Sequence, residues 1–387
     1  MKRKILVVIC VLIILSLFSV LCIFKYEKKT NIPNEETSKE KFFKFFNDDD
    51  IFSEYYDLAY DKLQLLNLDE KIGQLLIVRY PSENVIEDLK TYKFSGLVFY
   101  EKDFKNKTKE EVKQMINDVQ SNSNIPLLTA VDEEGGLIVR ISSNKNLSPY
   151  KFKSPKVLYN LGGMEEIKKD TIEKSTLLEE LGINLNFAPV VDVSTEKSDY
   201  MFMRSLGQDT KTTALFSKTV IETSKNTKVS YTLKHFPGYG NNVDTHTGSA
   251  YDDRSYESIL NNDIPPFIEG INAGAEIIMV SHNIVNSIDK ENPASLSLNI
   301  HKLLTDELNF SGIIITDDLY MGAITNIENA SIKAVLAGNH LLITTDYKNS
   351  FNSIKKAVLD NTINEETINK LVFKTLAWKF YKGLLSK

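Results

Sequence analysis

The sequence predicts an α/β chain: a single (β/α)8 barrel preceded by an N-terminal transmembrane helix and a tether. Three observations carry this. Eight short, nearly continuous apolar runs alternate with segments of 3.6-residue periodicity over about 330 residues, the pattern of a parallel sheet buried on both faces and closed on itself. Polar residues follow the ends of those runs: Asp132, Asp192, Lys234 with His235, His282, Asp317 and Asp346. In a barrel these ends converge on one mouth, whereas a doubly wound open sheet, the structural alternative, would spread them along an edge. Finally, residues Ile5 to Phe24 are apolar except for Ser16 and Ser19, which makes about the 20 residues that cross a bilayer as a helix.

At the front, Lys2-Arg3-Lys4 precede the apolar run and no pair of small residues ends it. A cleavable secretory peptide has a shorter core and such a site, so residues 1–24 read as an uncleaved anchor. Cys22 follows the bulky Leu21, which does not suit lipidation. Basic residues flank both ends, so charge alone decides orientation poorly. Residues 25–50 are rich in Lys, Glu, Asn and Asp, with a Phe-rich patch at Phe42 to Phe46. They read as a polar tether that becomes an amphipathic helix near the domain.

The domain itself covers residues 51–387. Its expected strands are Gln74 to Val78, Gly96 to Phe99, Leu127 to Val131, Asn186 to Val190, Val229 to Leu233, Ile277 to Ser281, Gly312 to Thr316 and Leu341 to Thr344. Helical periodicity falls between them at Thr108 to Ser121, Glu165 to Leu181, Thr212 to Ser224 and Ile327 to Ala337, and again at Asn369 to Leu384 near the end.

Composition narrows the function. A net charge of -6 and the lack of a dense Lys/Arg cluster argue against nucleic acid as a partner. Both cysteines, Cys10 and Cys22, lie in the apolar run, so the domain holds neither a disulfide nor a thiolate metal site. No metal or organic cofactor is implied.

Two windows carry chemistry. Lys234-His235-Phe236-Pro237-Gly238-Tyr239-Gly240, followed by Asp244-Thr245-His246, places two of the five histidines in a glycine-rich loop after a strand. Pro237, Gly238 and Gly240 cannot continue a regular element, so the polar groups stand on a mobile segment. Asp244 and His246 are close enough for a carboxylate to orient an imidazole that exchanges protons near neutral pH. The alternative is a solvent loop that happens to hold both. In the second window, Asp317 and Asp318 follow an apolar strand, and adjacent residues on an extended strand point to opposite sides, so one carboxylate projects over the mouth. On the residues alone, Asp318 caps the following helix, and Asp317 is either a reacting group or a hydrogen-bonded barrel residue.

These windows resemble, in order, motifs of the bacterial β-N-acetylglucosaminidase branch of glycoside hydrolase family 3. The loop resembles K-H-F-P-G-H-G followed by D-S/T-H. Asn67 to Gln74 looks like the opening of the family's catalytic domain. Asp132 to Arg140 is similar to D-Q-E-G-G-R-V-x-R, and Asn186 to Val193 to N-F-A-P-V-x-D-V. Arg204 to Gly207 stands for R-S-F-G, Pro293 to Ser297 for P-A-T-L-S, and Thr316 to Met321 for S-D-D-L-S-M. The resemblance implies that Asp317 is the nucleophile of a retaining glycosidase, that His246 is the general acid/base assisted by Asp244, and that Asp132, Arg140, Arg204, Lys234 and His235 hold the terminal sugar. An imidazole adds no second full negative charge beside Asp317. His282 reads as a supporting residue, and Glu134 with Gly135-Gly136 as a shaper of the turn.

Two departures stand out: Tyr239 replaces a histidine of the pattern and Leu137 an arginine. They bear on substrate more than on reaction. The chain leaves little length after the eighth unit for the second domain of β-glucosidase relatives. The expectation is therefore an exo-acting β-N-acetylglucosaminidase on peptidoglycan-derived glycans or muropeptides, held by a single-pass anchor in the cell membrane with its catalytic domain extracellular. The alternatives are a β-glucosidase or β-xylosidase of the same family, and a non-catalytic, membrane-tethered muropeptide-binding protein.

Overall fold

The computed structural model of the chain describes residues 1, 3, 5, 13–21, 37–47 and 49–386. They divide into two compact units, Met1–Asn47 and Asp48–Lys387. In the first, residues 13–21 are helical, and no helix among the described residues is long and apolar enough to cross a membrane. This corrects the expected anchor over residues 1–24 and, with it, the single-pass placement in the cell membrane. The nine described helical residues 13–21, at about 1.5 Å per residue, span less than half of a hydrocarbon core about 30 Å thick. Residues 6–12 and 22–36, with Cys10, Cys22 and much of the expected tether, lie outside the described residues. Further along, Ser38–Phe43 forms a short helix. Thr37 opens it with a capping box: its hydroxyl accepts the Glu40 N–H at 3.2 Å and its own N–H donates to the Glu40 carboxylate at 2.7 Å.

The second unit is built on ten strands: β1 Leu76–Arg79, β2 Gly96–Val98, β3 Leu128–Val131, β4 Leu185–Asn186, β5 Ser230–Phe236, β6 Tyr251–Asp252, β7 Ile277–Val280, β8 Ile284–Val285, β9 Ile313–Thr316 and β10 Leu342–Thr344. Eight of them form one parallel sheet in the order β10-β1-β2-β3-β4-β5-β7-β9. A parallel bridge between Ile315 and Leu341 brings its two ends together. The result is the nearly closed barrel that eight buried runs demand, since strands covered on both faces must be apolar throughout. Each expected run overlaps one barrel strand. Strand β4 is shorter than its apolar run because Pro189 has no N–H to give the ladder, which resumes where Val191 N–H reaches Lys234 O at 2.8 Å.

Strand β5 departs the other way, running on through Lys234 and His235 to Phe236. The expected loop therefore begins later, at Pro237. The two-stranded ribbon of β6 and β8 was not expected, because two-residue strands leave no period to read. The helix at Lys109–Ser121 starts at a Thr108–Glu111 capping box. The long helix Pro155–Glu180 is broken at Gly162 and Gly163. Asp318 does not cap a helix, since the chain turns until Ala330–Ala337 begins.

Helix Glu365–Tyr381 closes the far end of the barrel. Phe373, Leu376 and Trp378 are buried, while polar side chains tie down residues that lead into four strands. Lys379 Nζ donates to Gln74 Oε1 at 2.9 Å and to Ser95 O at 3.0 Å, Trp378 Nε1 to Glu276 Oε2 at 2.9 Å, and Lys374 Nζ to Ser311 O at 2.6 Å. Lys374 also pairs with Asp50. The opposite end, where the strands finish, is left open.

Candidate active site

At that open end lies a cavity of about 320 Å³ lined by Asp132, Arg140, Arg204, Lys234, His235, His246 and Asp317. Asp244, the remaining candidate, stands behind His246. The convergence follows from the barrel: Asp132 leaves β3, Lys234 and His235 end β5, and Asp317 leaves β9. Regular pleating would turn Lys234 and His235 to opposite faces. A register shift between Lys234 and Phe236 against β7 re-aims the chain, and both side chains line the cavity.

The floor is a charge cluster centred on a residue the sequence analysis read only as a turn-former. Glu134, 3% exposed, receives Arg204 through Nε–Oε2 at 3.0 Å and Nη2–Oε1 at 2.7 Å, and Lys234 Nζ at 2.7 Å. Lys234 also donates to Asp132 Oδ1 at 2.7 Å, and Arg140 Nη2 lies 3.9 Å from Asp132 Oδ2. Burial alone pushes the Glu134 carboxyl up, but Arg204 and Lys234 hold it far below the usual carboxylate range. Glycine at 135 lets the chain turn there: its φ is +100° and a Cβ would sit 2.2 Å from Lys153 O. Glu133 next door ties the loop together, accepting the Arg140 and Ile141 N–H groups at 2.7 and 2.8 Å.

Asp317 is partly open to the cavity, and its Oδ1 accepts the Asp318 N–H at 2.8 Å. Burial penalises its charge, yet His282, His235, Lys234 and that N–H more than offset the penalty, so its pKa lies below the ordinary 3.8. Asp318 turns away to brace β10, accepting Thr345 Oγ1 at 2.7 Å, Thr345 N–H at 3.1 Å and Tyr320 N–H at 3.0 Å. His282 supports the same turn, with Nε2 donating to Asp318 O at 3.0 Å and Nδ1 facing Ser295 Oγ at 2.7 Å. His235 donates from Nδ1 to Asp192 Oδ2 at 2.8 Å.

The rim carries the second chemical group. His246 Nδ1 donates to Asp244 Oδ1 at 2.6 Å, and the His246 N–H reaches the same oxygen at 3.0 Å. His246 is mostly exposed, leaving Nε2 for an atom entering the cavity. Burial pushes the Asp244 carboxyl up, but the hydrogen bonds and charge of His246, with help from Tyr200, bring it below its ordinary value. A carboxylate facing a proton-carrying imidazole across one sugar-sized cavity can attack a carbon and protonate its leaving group.

A model of the glycosyl hydrolase family 3 N terminal domain matches residues 67–377. The chain belongs to glycosyl hydrolase family 3. It is 30% identical over 254 residues to a beta-hexosaminidase of Haemophilus influenzae, covering 64% of this chain and 72% of that one. A beta-hexosaminidase of Glaesserella parasuis is 31% identical over 254 residues, covering 64% and 73%. A family 3 beta-N-acetylglucosaminidase from Paenibacillus sp. FPU-7 superposes with a TM-score of 0.77 at 25% identity, covering 83% of this chain and 64% of that one. The present chain thus spans somewhat under two thirds of that structure's length.

As a family 3 glycoside hydrolase the chain shows its departures plainly. Leu137 is 63% exposed and adds no charge to the Glu134 cluster. Tyr239 is 2% exposed, with its hydroxyl on Thr245. Arg79 and Tyr100 are among the lining residues that escaped sequence reasoning: the Arg79 guanidinium lies 4.3 Å from the Tyr100 ring centre, with Arg140 at 5.2 Å. Their only signal was position, at or just after strand ends. Among the described residues, no three His, Cys, Asp or Glu side chains group as a metal site.

Proposed function

We propose that this family 3 hydrolase is a retaining exo-β-N-acetylglucosaminidase that removes terminal N-acetylglucosamine from peptidoglycan-derived glycans. The observation that carries the reading is the pairing of Asp317 with the His246–Asp244 dyad on one cavity. A space of about 320 Å³ suits one N-acetylhexose better than a chain, which supports exo action. The names of the curated relatives support the hexosamine.

In the first step Asp317 attacks the anomeric carbon. The glycosidic C–O bond breaks, its electron pair stays on the leaving oxygen, and His246 supplies the proton. His246 enters protonated, and Asp244 stabilises that form and orients the ring. In the second step neutral His246 takes a proton from water as the water oxygen displaces the Asp317 ester. The two inversions return the original anomeric configuration. Asp132, Arg140, Arg204, Lys234 and His235 grip the sugar's hydroxyls and acetamido group, and a site so dense in buried charge rejects ligands that leave it unpaired.

The test is to incubate the His246→Ala variant with 2,4-dinitrophenyl β-N-acetylglucosaminide. The first step needs no acid there and the second lacks its base, so an N-acetylhexosaminyl adduct should accumulate on the Asp317 peptide by mass spectrometry. An adduct elsewhere, or an inverted product from the wild type, overturns the mechanism.

A further inference from the structure

We propose that Tyr239 is the positioning residue for the His246–Asp244 dyad, acting through its hydroxyl on Thr245; this rests on the reading of that dyad as the acid/base. Thr245 sits between the two dyad residues and is 1% exposed. Its N–H donates to the Tyr239 hydroxyl at 2.9 Å, and its own hydroxyl shares a hydrogen bond with that oxygen at 2.7 Å. One phenol oxygen thus holds both the backbone N–H and the hydroxyl of the residue joining the base to its orienting carboxylate.

Tyr239 is itself fixed from several sides. Its N–H donates to Asp192 Oδ1 at 2.8 Å, while the other oxygen of that carboxylate receives His235 Nδ1 at 2.8 Å. Its carbonyl accepts Asn283 Nδ2 at 3.2 Å. Its ring lies edge-on to His235 at 5.5 Å and against Tyr200 at 5.7 Å. Gly238 makes the approach possible, with φ at +125° and a Cβ that would meet Asp263 at 2.5 Å. Beyond Thr245 the loop is stitched to the segment that follows the nucleophile: Ala323 N–H donates to Thr245 O at 3.1 Å and Gly322 N–H to His246 O at 3.3 Å. The segment that its glycines and proline mark as mobile is therefore anchored at its centre, between the sugar-holding His235 and the Asp317 turn. A proton donor gains rate from being held in reach of the leaving oxygen, and displacement by about 1 Å can cost about 100-fold.

Tyr239→Phe removes one oxygen and keeps the ring. The experiment compares kcat/KM on N,N′-diacetylchitobiose, whose leaving group needs a proton, with that on the dinitrophenyl glycoside, whose leaving group does not. The expected loss is at least about tenfold greater on the disaccharide. In a His246→Ala background the same change should add no further discrimination. Thr245→Ser, which keeps both hydrogen bonds, should retain the wild-type ratio, and Thr245→Val, which keeps one, should shift it part of the way. Equal loss on both substrates, no loss, or full discrimination persisting without His246 overturns the proposal. If His246→Ala itself discriminates between the substrates and Tyr239→Phe does not, only the positioning role falls. If His246→Ala does not discriminate, the acid/base reading falls.

Discussion

Glu134 and Arg204 meet through two parallel hydrogen bonds, Oε2 to Nε at 3.0 Å and Oε1 to Nη2 at 2.7 Å, at the floor of the open-end cavity. The second oxygen is shared with Lys234 at 2.7 Å, so one buried carboxylate balances two cations that line the cavity.

Glu134→Gln leaves Lys234 with the Asp132 carboxylate alone and takes from Arg204 the carboxylate it pairs with. Breaking a buried pair costs about 3–5 kcal/mol, so the denaturant midpoint should fall, and KM should rise by the same factor for good and poor leaving groups. The native pKa of Glu134 is depressed, so its stabilisation is present above the unfolded value near 4.5 and is lost as pH falls toward the native one. The stability gap between wild type and variant should be level from about pH 8 to pH 5 and shrink below about 4.5. A gap that widens on acidification contradicts this account of the cluster.

The pH profile of turnover tests the site more directly. Asp317 and Asp244 both lie below the ordinary 3.8, so neither should produce an acid limb in kcat/KM above about pH 4. The proposed mechanism assigns an alkaline limb to the general acid. It should vanish in His246→Ala assayed on the dinitrophenyl glycoside; an alkaline limb that survives there assigns the proton to another group.

At the closed end of the barrel, Lys379 is fully buried and donates to Gln74 Oε1 and Ser95 O, and burial pushes its pKa down to about 7. Above that value the folded lysine is neutral while the unfolded one stays charged up to its ordinary 10.5. The unfolded state then binds the extra proton, so stability gains with pH from about 7 to 10.5. Relative to Lys379→Met, wild-type Tm should climb across that window. Parallel curves would show that the lysine is charged inside the fold.

What the sequence disclosed and what it hid divide along physical lines. Runs such as Ile313–Thr316 and Ile277–Val280 are apolar because both faces are covered, so eight strands could be read directly. The end of β5 was misplaced because Lys234 and His235 are buried polar side chains inside a strand, held there by Asp132, Glu134 and Asp192, which are distant in sequence. Glu134 was undervalued for the same reason: its partners lie 70 and 100 residues away. Asp318 looked like a cap because aspartate after a strand commonly opens a helix, whereas here the chain turns until the helix opens at Ala330, with Asn329 at its N-cap position. The apolar front was read by length alone, and no membrane-spanning helix is found among the described residues. The motifs were legible because reactive residues cluster at strand ends, where each spacing is local.

The most direct test of the central claim is release of 4-nitrophenol by the full chain from its β-N-acetylglucosaminide, beside the β-glucoside and an Asp317→Asn control. The account predicts turnover of the N-acetyl substrate that far exceeds that of the glucoside and falls at least about 1,000-fold in the variant. Preference for the glucoside, or turnover that survives in Asp317→Asn, would contradict it.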